Sequence, residues 1–104
     1  MPGLGDLMKQ AQKMKAEMDR IQAEVGAKIV EGSAGGGMVT VTASGKGEVL
    51  SVKIDPEVLR SEDREMLQDL VTAAANDALR KARELLAQEV SRLTGGLGLP
   101  PGLL

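Results

Sequence analysis

The chain has 104 residues, 42% of them hydrophobic, and its 15 acidic and 13 basic side chains leave a formal net charge of −2. That is the composition of one globular domain. It contains no His, Cys, Phe, Tyr or Trp, which excludes Ser-His-Asp triads, thiol nucleophiles, zinc fingers, Fe–S clusters and disulfides, along with the aromatic platforms on which unpaired bases stack.

The first element in chain order is a helix. Leu4, Leu7, Ala11, Met14, Met18, Ile21 and Val25 alternate spacings of three and four, a heptad stripe that ends at Gly26. At 1.5 Å per residue these positions make a rod of roughly 33 Å, whose apolar stripe requires a facing surface. The period then changes. Ile29-Val30, Met38 to Thr42 and Val49 to Ile54 read as three short strands, and the last is expected to hold Leu50, Val52 and Ile54 on one face. Gly35-Gly36-Gly37 and Ser44-Gly45-Lys46-Gly47 are the turns between them, so the strands form an antiparallel meander.

Asp55-Pro56-Glu57 combines a capping residue, a proline suited to the first helical position and an acid suited to the positive helix end. It predicts a single helical turn through Leu59. Ser61 is the expected cap of a second long helix, with Glu62 and Asp63 in its first turn. Leu67, Val71, Ala74, Ala78, Ala82 and Leu85 form its apolar stripe, which Leu79, Leu86, Val90 and Leu93 widen. Gly95-Gly96 ends it after about 30 residues, roughly 45 Å.

The fold class that follows is α+β, with element order α-β-β-β-α: a three-stranded antiparallel meander and two long helices that project beyond it. Residues 1–94 form the domain and residues 95–104 a flexible Gly/Pro/Leu tail. Twelve of the apolar residues are alanines and no aromatic adds core area, so a second copy is the simplest source of further burial. An intertwined homodimer with two-fold symmetry is therefore expected. The N-terminus carries no charged segment followed by an apolar one, and no apolar run nears the roughly 20 residues that span a bilayer. The expectation is a cytoplasmic protein without a membrane partner.

Charge is distributed unevenly. Residues 7–20 set Lys9, Lys13, Lys15 and Arg20 against Glu17 and Asp19; residues 79–93 set Arg80, Lys81, Arg83 and Arg92 against Glu84 and Glu89. Both stretches are net positive, whereas residues 55–77 hold seven acids against Arg60 and Arg64. At 100° per residue, Lys9, Lys13 and Arg20 fall within about 40° of one another on the first helix. Such a ridge could lie along phosphates, although the ordinary reading of charges on an amphipathic helix is a solvated face.

Other groupings carry no chemistry. Gly32 to Gly37 lacks the Gly-Lys-Ser/Thr ending of a phosphate loop and precedes a strand rather than a helix. Glu62, Asp63 and Glu65 are accounted for by the start of a helix, and no oxygen-ligand loop spacing is present, so no metal or cofactor is expected. Asn76-Asp77 would supply a hydrogen-bonding edge beside the close packing of Ala73-Ala74-Ala75. Neither a nucleophile nor an acid–base constellation is present, so no enzymatic function is expected.

Specific strings go further than periodicity. Leu7-Met8-Lys9-Gln10-Ala11-Gln12-Lys13-Met14, Val39-Thr40-Val41-Thr42 with Gly45, Ile54-Asp55-Pro56, Glu65 to Val71, Ala73-Ala74-Ala75-Asn76-Asp77-Ala78 and Leu99-Pro100-Pro101-Gly102 together resemble the YbaB/EbfC family of bacterial nucleoid-associated proteins, in order and across nearly the whole chain. The chain departs from the family's pattern at its Leu103-Leu104 end, where Phe is often found, and at Gln68, where Glu is common. The resemblance implies a homodimer with protruding helices that binds duplex DNA with little sequence preference, sits at the nucleoid and affects its organisation and gene expression. Lys9, Lys13, Lys15, Arg20, Arg80, Lys81, Arg83 and Arg92 are the expected phosphate contacts. The alternative is a non-enzymatic interaction factor whose helices grip a protein of the replication or recombination machinery.

Overall fold

The structure is a computed structural model that describes residues 3–96. Its elements are α1 (Leu4–Gly26), β1 (Ile29–Ala34), β2 (Val39–Ser44), β3 (Val49–Ile54), α2 (Pro56–Arg60) and α3 (Arg64–Gly96). The expected order, the meander and both long helices are present.

The strands pair antiparallel in the order β1-β2-β3. Register pairs Val30 with Ala43, Gly32 with Val41 and Ala34 with Val39, so these six share the face that α3 covers. Val41 pairs in turn with Val52 and Val39 with Ile54. The expected alignment of Leu50 with Val52 and Ile54 is interrupted, because a bulge between Thr42 and Ala43 sets Val49 opposite Ala43 and leaves Leu50 as the extra residue. The opposite face is polar: Glu31, Thr42 and Ser51 lie across it in one row, Ser33, Thr40 and Lys53 in the next.

The core is built from small side chains. Val39, Val41 and Ala43 of β2 pack against Ala74 and Ala78 of α3, and all five are fully buried. Gly32 makes this close approach possible, because a Cβ there would collide with the backbone of Ala74 and Ala78. The helix axis thus comes nearer to the sheet than any larger residue would allow. α3 lies across β1 and β2 and barely reaches β3. Val49, Leu50 and Val52 stay exposed as a result.

Helix boundaries follow their local chemistry, with two corrections. Asp55 caps α2 as expected, its Oδ1 accepting from the Glu57 N–H at 2.9 Å, with Pro56 at the first position. The cap of α3, however, is Asp63 rather than Ser61: Asp63 Oδ1 accepts from the Met66 N–H at 2.9 Å. Ser61 is instead the residue that ends α2, its hydroxyl donating to the Val58 carbonyl at 2.7 Å. Glu62 between them has a φ of 60°, which breaks the chain direction and moves the cap two residues on. Gly26 is not a left-handed terminator; α1 ends at Ala27 with right-handed angles. The neighbouring steric need is at Gly45, where a Cβ would strike the Val25 carbonyl.

That contact fixes the end of α1 at the β2–β3 hairpin. A groove lined by Gln22, Ala23, Gly45, Lys46 and Leu86 puts the same end of α1 beside α3. From there α1 runs out from the sheet next to the far part of α3, and the molecule reaches 70 Å in length but only 22 and 17 Å across. α3 continues to Gly96, two residues into the segment expected as a tail; the rest of that segment, 97–104, lies outside the described residues.

Candidate nucleic-acid interface

The eight expected phosphate contacts lie on the two helices, all of them exposed. On α1, Lys9, Lys13 and Arg20 share one ridge, about 140° around the helix from the apolar stripe by its 100° step. Lys9 and Lys13 make no ion pair among the described residues. Lys15 and Arg20 do. Lys15 Nζ stands 2.8 Å from Asp19 Oδ2. Arg20 donates to both carboxylate oxygens of Glu24 at 3.0 Å and to Glu17 Oε2 at 2.7 Å. These carboxylates hold both cations above their usual pKa, through hydrogen bonds first and charge second.

The α3 cations are less convergent. By the same helical step Arg80, Lys81, Arg83 and Arg92 spread over about 180° of its circumference. Arg80 bridges Asp77 Oδ1 at 2.6 Å and Glu84 Oε1 at 2.8 Å, and these bonds raise its pKa. Arg92 Nη1 pairs with Glu89 Oε1 at 3.2 Å. Lys81 turns toward the sheet: its Nζ donates to the Glu31 carbonyl at 3.0 Å and stands 3.3 Å from Asp77 Oδ2. Arg83 makes no ion pair among the described residues. Lys9, Lys13 and Arg83 are therefore the three expected contacts whose charge is uncommitted.

The local spacing permits this pairing pattern, since each partner sits three or four residues away on the same helix, where side chains meet. It gives no sign of the link from Lys81 to Glu31, which joins residues 50 apart. Periodicity also passed over Lys28 and Lys46, which lie in turns. The Lys28 carbonyl accepts from the Gly45 N–H at 3.0 Å, and the Lys46 stem packs over Gly26, so two more exposed cations stand where α1 meets the hairpin.

Asp77 is where the expected hydrogen-bonding edge is realised. Its Oδ2 accepts from the Ser33 backbone N–H at 3.1 Å, and this bond, followed by those from Arg80 and Lys81, holds the carboxyl below its ordinary value. The neighbouring Asn76 is exposed. Among the described residues no three carboxylates converge on a metal-sized site, and Asp63, the middle of the acidic group at 62–65, is engaged as the α3 cap. No described helix is long and apolar enough to cross a membrane.

Comparison with known proteins identifies the family. The model of the YbaB/EbfC DNA-binding family matches residues 1–97. A nucleoid-associated protein of Acetivibrio thermocellus is 54% identical, over 98% of this chain and 94% of that protein. Another, from Desulfotalea psychrophila, is 50% identical over 93% of this chain and 92% of its own length. Among solved structures, an uncharacterized protein from Helicobacter pylori superposes with a TM-score of 0.78 at 27% identity, covering 89% of this chain and 98% of that one.

Proposed function

The chain belongs to the YbaB/EbfC DNA-binding family, a family of binding proteins rather than enzymes, and from that premise we propose that it is a nucleoid-associated homodimer that grips duplex DNA by its phosphates. Lys9, Lys13 and Arg83 lead the contacts, since each presents an uncommitted charge on an exposed helix face. Lys15, Arg20, Arg80 and Arg92 join them by exchanging a carboxylate for a phosphate. Exposed ion pairs in water are weak enough for that exchange. Lys81, tied to the sheet, contributes least. Contact through charge alone carries little sequence preference, and any preference comes from DNA shape. Binding of this kind at the nucleoid affects its organisation and gene expression.

The observation that carries the reading is the uncommitted Lys9–Lys13 ridge, on the side of α1 turned away from its apolar stripe, in a chain of a DNA-binding family. The dimer is supported by what one copy leaves uncovered: Leu4, Leu7 and Met8 on α1, and Val49, Leu50 and Val52 on β3. A second copy would bury both sets, at roughly 1.5–3 kcal/mol for each large side chain fully covered.

The test is a titration of labelled duplex DNA at several salt concentrations. Wild-type binding should fall linearly in log salt, and each of Lys9→Gln, Lys13→Gln and Arg83→Gln should lower the slope by about one on unrelated sequences alike. A triple variant that binds as wild type does would remove these residues from the interface. Absence of binding at low salt would hand the helices to a protein partner of the replication or recombination machinery.

A further inference from the structure

A three-stranded sheet has two edges, and in this chain they are treated differently. β1 forms one edge and β3 the other. In an antiparallel ladder alternate residues turn both backbone polar groups toward the neighbouring strand or away from it. Glu31 and Ser33, opposite Thr42 and Thr40, are residues of β1 that turn theirs outward. Two of these outward groups, one on each residue, are taken by side chains of α3. The Ser33 N–H donates to Asp77 Oδ2 at 3.1 Å, and the Glu31 carbonyl accepts from Lys81 Nζ at 3.0 Å.

The two caps are one unit. Lys81 Nζ lies 3.3 Å from the Asp77 oxygen that holds Ser33, and Arg80 holds the other oxygen at 2.6 Å. Their spacing of four residues places them one turn apart on α3. Gly32, between the two capped residues, lets the α3 backbone come close enough for the short Asp77 side chain to reach the strand. Nothing comparable protects β3: among the described residues no side chain hydrogen-bonds to its backbone, and the helix that covers β1 hardly reaches it.

We propose that Asp77 and Lys81 form an edge cap that makes assembly of this chain one-sided, closing β1 to strand addition and leaving the β3 side as the only sheet edge a second copy can approach. A chain with two open edges can add copies without limit, whereas a chain with one open edge can associate there only once, in a closed pair. The cap therefore decides that association stops at two. The proposal rests on the dimer reading for its endpoint, but not for the closure of β1. It also gives Lys81 a duty apart from DNA.

The experiment measures molar mass by light scattering across a tenfold range of protein concentration, with circular dichroism to confirm the fold. Wild type should hold one mass throughout. The Asp77→Ala, Lys81→Ala double variant should grow by about twofold or more with concentration as β1 becomes available. Adding Ser33→Pro should restore the wild-type mass, since proline deletes the outward N–H and leaves the ladder to β2 intact. If the double variant does not fold, Lys81→Met, which keeps the stem and loses the donor, should show the same growth to a smaller extent.

A folded variant without either cap whose mass matches wild type overturns the proposal, as does growth that Ser33→Pro leaves unchanged. A wild-type mass of one chain counts against the dimer reading alone, because closure of β1 is read from the variants.

Discussion

The two ends of α1 carry the same heptad stripe and meet different fates. At the C-terminal end Ile21 is 4% and Val25 2% exposed; at the N-terminal end Leu4 is 75% and Leu7 51% exposed. Between them Met14 and Met18 are half-buried, so burial falls steadily with distance from the sheet. Nothing local distinguishes the ends, since spacing and residue type repeat. What differs is the neighbour: the last turns of α1 have Gly45 and Leu86 of α3 beside them, while Leu4 and Leu7 in the first turns are left exposed. A periodic stripe therefore states which side of a helix can be buried, and the rest of the fold decides how much of it is.

The largest expected effect is at the anchor of the buried end. Gly45→Ala should destabilise the protein by about 3 kcal/mol, because its Cβ would meet the Val25 carbonyl and neither backbone can yield cheaply. Urea unfolding followed by far-ultraviolet circular dichroism measures this without any aromatic reporter. A loss well below this would mean that the end of α1 is held elsewhere.

Next in size is the contrast between the two ends. Ile21→Ala should cost about 2 kcal/mol at any protein concentration, as a packed side chain is replaced by a cavity. Leu7→Ala should leave the stability of a single copy unchanged and act only where copies associate, so its effect should grow with concentration. Unfolding midpoints at two concentrations separate the cases. Equal losses at both sites, independent of concentration, would break the comparison.

The smallest effect is that of pH, and it concerns α3 and β1 instead of α1. The folded-state pKa of Asp77 is depressed, foremost by the Ser33 N–H and then by Arg80. The unfolded chain therefore takes up the proton first as pH falls. The stability owed to Asp77 is fully present above its ordinary pKa near 3.8 and is lost as pH falls through the lower folded value. Thermal midpoints of Asp77→Asn should accordingly fall less steeply with acid than those of wild type. Parallel curves would mean that the carboxylate charge does not stabilise the fold.

The sheet repeats the lesson of α1. Val41 and Val52 are register partners of one residue type, yet Val41 is fully buried and Val52 exposed, because α3 crosses β2 and stops short of β3. Alternation in the sequence marked both as inward residues and could not tell covered from uncovered. Small residues carried more information than their size suggests. Ala74 and Ala78 were legible as a stripe, but the reason for alanine there lies in Gly32, more than forty positions earlier, which meets the backbone between them.

The candidate interface was legible to a similar depth. Helical arithmetic placed Lys9, Lys13 and Arg20 on one ridge; the pairing of Arg20 and Arg80 with acids one turn away was not read from the sequence, although the spacing of three and four residues permits it. Such arithmetic could not foretell that Lys81 would turn from solvent to the Glu31 carbonyl, nor that Asp77 would leave solvent for the Ser33 N–H. Both bonds require α3 to lie along β1, a fact absent from either segment alone.

The sequence by itself determined the order of elements, the apolar side of each and the classes of chemistry the chain cannot perform, because these depend on residue type and on periods of two and three to four residues. Only the tertiary structure decided which lengths of those sides are covered, which cations keep their charge uncommitted and which edge of the sheet is closed. These depend on where α3 crosses the sheet, and that crossing is set by backbone contact at Gly32 between segments far apart in the chain.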